Sequence, residues 1–156
     1  MKKTNAMRIL DSNKINYEII EYNTENGISG VDVAKTLNEK PEQVFKTLVT
    51  VGKNDNYVFV VPSLKELDLK SAAKVSGEKK IDMIPQRELL SKTGYIHGGC
   101  SPIGMKKQFK TYIDKSALDF DYIFVSGGKV GMQVKVNPKD LAELVDAKFC
   151  EIAKGD

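Results

Sequence analysis

Val44-Phe45-Lys46-Thr47-Leu48-Val49-Thr50-Val51 and, shortly after it, Tyr57-Val58-Phe59-Val60-Val61 are the two stretches that decide the fold. Both are dense in β-branched and aromatic residues, and Gly52 to Asn56 between them is turn material, so the pattern predicts a β-hairpin. Apolar residues stand at nearly every position of both runs, which is the mark of strands covered on both faces by other layers or curled into a barrel. The hairpin is therefore expected at the centre of the molecule.

The rest of the chain is punctuated around it. Thr4 is placed to cap a helix with an apolar stripe of Ala6, Met7, Ile9 and Leu10 that ends at Asn13, and Tyr17 to Tyr22 alternates as a strand. Ser29 and Asp32 have capping-box-like spacing ahead of Val33, Ala34 and Leu37, until Pro41 interrupts. Downstream, Asp68 to Val75 reads as a helix ended by Gly77, Lys80 to Ile84 as a short strand, and Pro85 to Lys92 as a helix with Gly94 beyond its end. A glycine-rich loop from Gly98 to Gly104 leads to an extended piece, Thr111 to Asp114, and a strand, Tyr122 to Val125. Met132, Val134 and Val136 alternate as another strand, and Asn137-Pro138 opens a helix that turns Leu141, Leu144 and Val145 to the core. Ala147 to Ile152 fits either helix or strand. This irregular order predicts an α+β fold, one domain over residues 1–156, with a mixed, strongly curved sheet surrounded by helices.

Composition narrows the class. The 156 residues are 41% hydrophobic and 29% charged, as in a globular protein, and no run reaches the roughly 18 apolar residues of a membrane span. The first residues lack the long apolar stretch of a signal peptide, so a cytoplasmic location is expected. Two distant cysteines, Cys100 and Cys150, argue against a disulfide scaffold and a multi-cysteine zinc site, and no metal or cofactor is expected. A net charge of +3 permits a nucleic-acid partner without demanding one.

Three features stand out as candidates for chemistry. Lys46 shares a strand face with Val44 and Leu48 in a run that should be buried, and a buried ammonium needs water, a carboxylate, carbonyls or an anionic ligand. A side chain that snorkels at the strand end and a functional cation fit this equally. The loop Gly98-Gly99-Cys100-Ser101-Pro102-Ile103-Gly104 can turn backbone N–H groups toward an oxyanion or a phosphate, although a plain turn has the same composition. Ser126-Gly127-Gly128-Lys129-Val130-Gly131 reads either as a hairpin turn or as a second wall of the same crevice. Conventional catalytic sets are missing: His97 is the sole histidine, and its closeness in sequence to Cys100 fixes no geometry. Lys106, Lys107 and Lys110 follow the first glycine loop and could hold a phosphate backbone if they border the crevice.

Taken in order, Phe45-Lys46-Thr47-Leu48, Leu67-Asp68-Leu69-Lys70, Thr93-Gly94-Tyr95 with the Gly98 to Gly104 loop, and Ser126-Gly127-Gly128-Lys129 resemble the YbaK/EbsC family of transfer-RNA editing proteins over nearly the whole chain. The resemblance implies a barrel-like mixed sheet and a trans-acting deacylase that removes cysteine from Cys-tRNA(Pro), with Cys-tRNA(Cys) as a further substrate. It implies that Lys46 is the essential lysine, that Gly98, Gly99, Cys100, Ser101 and Pro102 line the pocket, and that Tyr22 and Ser126 shape it. Thr47 beside Lys46, and Gly127 and Gly128 beside Ser126, complete the substrate-binding set. It also implies that the substrate's own thiol attacks its ester to give a cyclic thioester, and that tRNA and prolyl-tRNA synthetase are the partners. Two positions depart from the family: Ile28-Ser29-Gly30 stands where relatives often carry an aromatic residue, and Gln133 stands where some carry an acid. Hydrolysis of Ala-tRNA(Pro) by water, or a non-catalytic RNA-binding module, remain the alternatives.

Overall fold

The structure, a computed structural model, describes residues 2–25, 27 and 30–155. The predicted hairpin is its centre. Strands β2 (Phe45–Val51) and β3 (Asn56–Pro62) pair antiparallel, with Phe45 opposite Pro62 and Val51 opposite Asn56. Their turn is tied down by Glu78, whose carboxylate accepts from the Lys53 and Asn54 backbone N–H groups and from the Tyr57 hydroxyl at 2.6 Å.

Both faces of the hairpin are covered, as the continuous apolar runs require. Phe45, Val49, Val58 and Val60 join the largest core cluster on one side, while Tyr57, Phe59 and Val61 pack on the other against Leu67, Ala72 and Ile152. Five strands form the main sheet in the order β5 (Asp82–Met83), β2, β3, β6 (Lys110–Asp114), β9 (Lys148–Cys150). The β3–β6 and β6–β9 pairs are parallel, so the sheet is mixed. Across the β3–β6 pair Phe59 stacks on Tyr112 with ring centroids 5.3 Å apart.

A second sheet has three antiparallel strands, β1 (Tyr17–Glu21), β8 (Met132–Val136) and β7 (Ile123–Ser126), in that order. The short pair β4 (Glu66–Leu67) and β10 (Ala153–Lys154) makes a third. A single parallel bridge, Val44 to Phe124, links the start of β2 to β7. The α+β class and the mixed sheet are as expected, but no sheet among the described residues closes into a barrel. The strands divide into separate sheets, and among the described residues that bridge is the one backbone pairing between the two larger ones.

The helices sit close to where the sequence placed them. Thr4 caps α1 (Asn5–Ser12), Asp68 caps α3 (Leu69–Ser76) with Gly77 left-handed at its end, and Asn137 caps α5 (Pro138–Val145). Helix α2 (Gly30–Leu37) is also present; the expected cap at Ser29 lies outside the described residues. Pro85 introduces a single 3-10 turn, Gln86–Glu88, before α4 (Leu89–Thr93). The ambiguous segment Ala147 to Ile152 contains β9, which pairs with the edge of β6, and β10 follows it to pair with β4. No helix among the described residues is long and apolar enough to cross a membrane.

Candidate active site

β5 pairs with β2 only at Thr50 and Val51, so the outer edge of the first half of β2 is left for other partners. A cavity of about 390 Å³ opens beside that half-strand. Lys46, Thr47 and Leu48 of β2 form one wall, Ser126 of β7 and Gln133 of β8 another, and Gly98 and Cys100 of the first glycine loop a third. Val33, Val44 and Leu89 supply apolar surface, and the exposed His97 stands at the lining as well.

Lys46 is half-buried, and its side chain has no ion pair or hydrogen bond among the described residues. Burial lowers its pKa from the ordinary lysine value, and the attraction of Glu66 offsets this only in part. Residue parity along β2 puts Lys46 on the face of Leu48, opposite Val61, so the ammonium is held at the margin of an apolar cluster. A cation so placed is available for an anion or a developing negative charge.

The two glycine loops meet. A Cβ on Gly99 would lie 2.9 Å from both Lys129 Cα and Val130 N, so backbone packs directly on backbone there. The start of α1 clasps both loops: the Thr4 hydroxyl donates to the Gly127 carbonyl at 2.7 Å, and the Asn5 amide donates to the Gly104 carbonyl at 2.9 Å. Tyr95 adds a third tie, its hydroxyl donating to the Ile103 carbonyl at 2.5 Å, and Ser101 Oγ accepts from the Ile103 N–H. Gly99→Ala should therefore drive the loops apart, costing about 1–3 kcal/mol of stability as overpacking does. A lower melting temperature together with reduced turnover is the expected result, and a variant as stable and active as the parent would show that the loop contact is slack.

Cys100 is buried, and its thiol is pushed up to about 12 by that burial, which a hydrogen bond with Thr93 only partly offsets. A thiol so protonated is a poor nucleophile near neutral pH. Ser126 Oγ accepts from the Gly128 N–H at 3.2 Å, which leaves its own hydroxyl proton free to donate.

Of the residues singled out in the sequence, Lys46, Thr47, Gly98, Cys100 and Ser126 line the cavity together. Gly99, Ser101, Pro102 and Gly127 are buried behind that surface, and Gly128 is partly buried beside Thr4 and Tyr95. Tyr22 does not line the cavity but receives a hydrogen bond from Gln133 Nε2 at 3.5 Å. Lys106, Lys107 and Lys110 are exposed and lie outside the lining. Lys110 sits beside Tyr57, whereas Lys46 faces Val61; positions 57 and 61 are four residue steps apart along β3, about 13 Å. Sequence reasoning missed Val33, Ser63 and Leu89 as lining residues and noted Gln133 only as a departure from the family, since a polar residue alternating with Met132 and Val134 reads as solvent-facing.

A crevice of this kind, with a lysine on a central strand between two packed glycine loops, defines a class: the chain belongs to the family of aminoacyl-tRNA editing domains, whose model matches residues 24–144. It is 46% identical over 153 residues, 97% of this chain and 93% of the other, to an Enterococcus faecalis (strain ATCC 700802 / V583) protein provisionally named as the Cys-tRNA(Pro)/Cys-tRNA(Cys) deacylase EbsC. Two crystal structures share the fold. One is described, also provisionally, as a trans-editing enzyme for prolyl-tRNA synthetase, with 23% identity, a TM-score of 0.88 and coverage of 99% of this chain and 100% of that one. The other, the hypothetical protein APE2540, is 18% identical with a TM-score of 0.89 and covers 97% of this chain and 100% of its own.

Proposed function

We propose that the protein deacylates Cys-tRNA(Pro), with the cysteine's own thiol as the attacking group. The observation that carries this reading is a cavity in which, among the described residues, the lysine makes no ion pair and the thiol at the lining is held in its protonated form by burial. Cys100 is the one thiol at the lining, and burial keeps it protonated. The 46% identity to the Enterococcus protein supports cysteine as the amino acid.

In the proposed reaction the substrate sulfur attacks the ester carbonyl, the C–S bond forms, and the bond to the ribose oxygen breaks. The ribose oxygen takes up the proton given up by the thiol, and water later opens the cyclic thioester to free cysteine. Amides of the Gly98 to Cys100 loop and the Ser126 hydroxyl stabilise the oxyanion. Lys46 holds the terminal ribose or phosphate, or the developing negative charge. A panel of Cys-, Ala-, Ser- and Pro-tRNA(Pro) tests the reading: cysteine should be released fastest, and faster release of alanine would transfer the assignment to water-mediated hydrolysis of Ala-tRNA(Pro).

A chain this small has little surface for reading tRNA beyond its acceptor end, so prolyl-tRNA synthetase is proposed as the partner that presents the mischarged product. Lys106, Lys107 and Lys110, exposed and outside the cavity lining, are proposed to meet phosphates of the acceptor stem. Changing all three to alanine should weaken tRNA binding and reduce the slope of log K against log salt by about 0.7–0.9 for each phosphate no longer neutralised. Turnover at saturating tRNA should survive, and an unchanged slope would make the cluster an ordinary solvated face.

A further inference from the structure

Among the described residues, two buried side-chain oxygens lack a hydrogen-bond partner, Thr47 Oγ1 and Gln133 Oε1, and both residues line the cavity. Buried polar atoms in folded proteins are rarely left without partners, and two in one cavity point to a ligand that supplies the missing donors. Gln133 is 6% exposed and occupies the middle strand of the three-stranded sheet, between Ser126 of β7 and Ile20 of β1. Its Nε2 donates to the Tyr22 hydroxyl at 3.5 Å, which orients the amide and leaves Oε1 as the acceptor.

The charge layout says which donor fits. Lys46 is the cavity's lysine, and an ammonium in the ligand must be kept away from it. Neutral acceptors on the β8 side and on the opposite face of β2 provide the place, since Thr47 and Lys46 point to opposite faces of that strand. We propose that Gln133, with Thr47, binds the free α-ammonium of the aminoacyl ester, so that the site selects substrates carrying an unblocked amine. This rests on the aminoacyl-ester reading above and assigns one end of that substrate. The ester end lies toward Lys46, and an ester without the amine leaves the two oxygens unpaired.

The test compares Cys-tRNA(Pro) with 3-mercaptopropionyl-tRNA(Pro), which keeps the thiol and the ester but lacks the amine and adds no bulk. The native protein, Gln133→Leu, Thr47→Val and Gln133→Glu are assayed with both, after melting curves confirm the fold. The intrinsic reactivity difference between the two esters is common to all four proteins. The expected result is that the penalty for removing the amine shrinks by about 10- to 100-fold in Gln133→Leu, the range set by loss of a hydrogen bond to a charged group. A smaller reduction is expected in Thr47→Val, and Gln133→Glu, which keeps an acceptor, should retain the full penalty. The same penalty in native protein and Gln133→Leu overturns the proposal; if Gln133→Leu does not fold, Thr47→Val with an undiminished penalty does so.

A binding arm separates this from failure of the proposed function. Calorimetry with 3′-(L-cysteinylamino)-3′-deoxyadenosine and its analogue lacking the amine reads recognition without turnover. A native protein that cleaves no aminoacyl-tRNA defeats the functional reading, yet tighter binding of the amine-bearing ligand, lost in Gln133→Leu, still upholds the role of Gln133. Equal affinity for the two ligands overturns it.

Discussion

Lys46→Ala is expected to lower kcat/KM for deacylation by about 10²–10³-fold, the scale of removing one preorganised electrostatic contact to a transition state. The fold should persist. Lys46 makes no ion pair among the described residues, so its removal strands no buried carboxylate. The direction of its pKa adds a stability prediction. Burial lowers the folded value below that of the unfolded chain. Below the folded value both states are protonated and folding carries the whole desolvation cost; as pH rises through that value the native lysine sheds its proton and the cost fades. This group therefore makes the native protein more stable with rising pH in the window between the two values, and that gain should vanish in Lys46→Met. Near neutral pH Lys46→Met should melt at or above the temperature of the parent. Turnover by a folded Lys46→Ala protein within a few-fold of the parent would falsify the assignment.

The second large effect concerns the nucleophile. S-methylcysteinyl-tRNA(Pro) should be cleaved at least about 100-fold more slowly than Cys-tRNA(Pro), because methylation removes the attacking thiolate while preserving the ester. Cys100→Ala should keep most of its activity. With burial pushing its pKa up to about 12, the Cys100 thiol stays protonated near neutral pH. Some loss of stability is expected, since Cys100 is buried in the main core cluster and its removal leaves a small void. Seryl-tRNA should react slowly despite its similar size, its hydroxyl being a weaker nucleophile near neutral pH. Rapid cleavage of the methylated substrate would assign the attack to water, and loss of all activity in a folded Cys100→Ala protein would assign it to Cys100.

Much of this was legible in the residues. The uninterrupted apolar runs around Lys46 announced a two-sided central hairpin, and the capping residues Thr4, Asp68 and Asn137 marked three helix starts, because both signals are local. Separation into two larger sheets was not legible. It depends on the parallel pairings of β3 with β6 and β6 with β9, which join segments distant in sequence and leave no local pattern. In the site, Lys46 and the glycine loops showed as departures from their surroundings. Gln133 did not, because Met132, Gln133, Val134 and Lys135 alternate like any half-exposed strand, and only the cavity turns the polar face inward. The family resemblance at that position concerns what the chain lacks, an acid, and gives no account of the amide present.

The clasp between α1 and the glycine loops bears on how the protein is made. Thr4 meets Gly127 across 123 residues of chain, and Asn5 meets Gly104 across 99. During synthesis the helix that secures the crevice emerges early, at about 5–20 residues per second, and must wait for both loops before it can engage. Lys46, too, is translated long before Ser126 and Gln133, the residues that face it across the cavity. The cavity can therefore close only after both loops and β8 have been made, and until then a nascent chain carries Lys46 without the walls that face it.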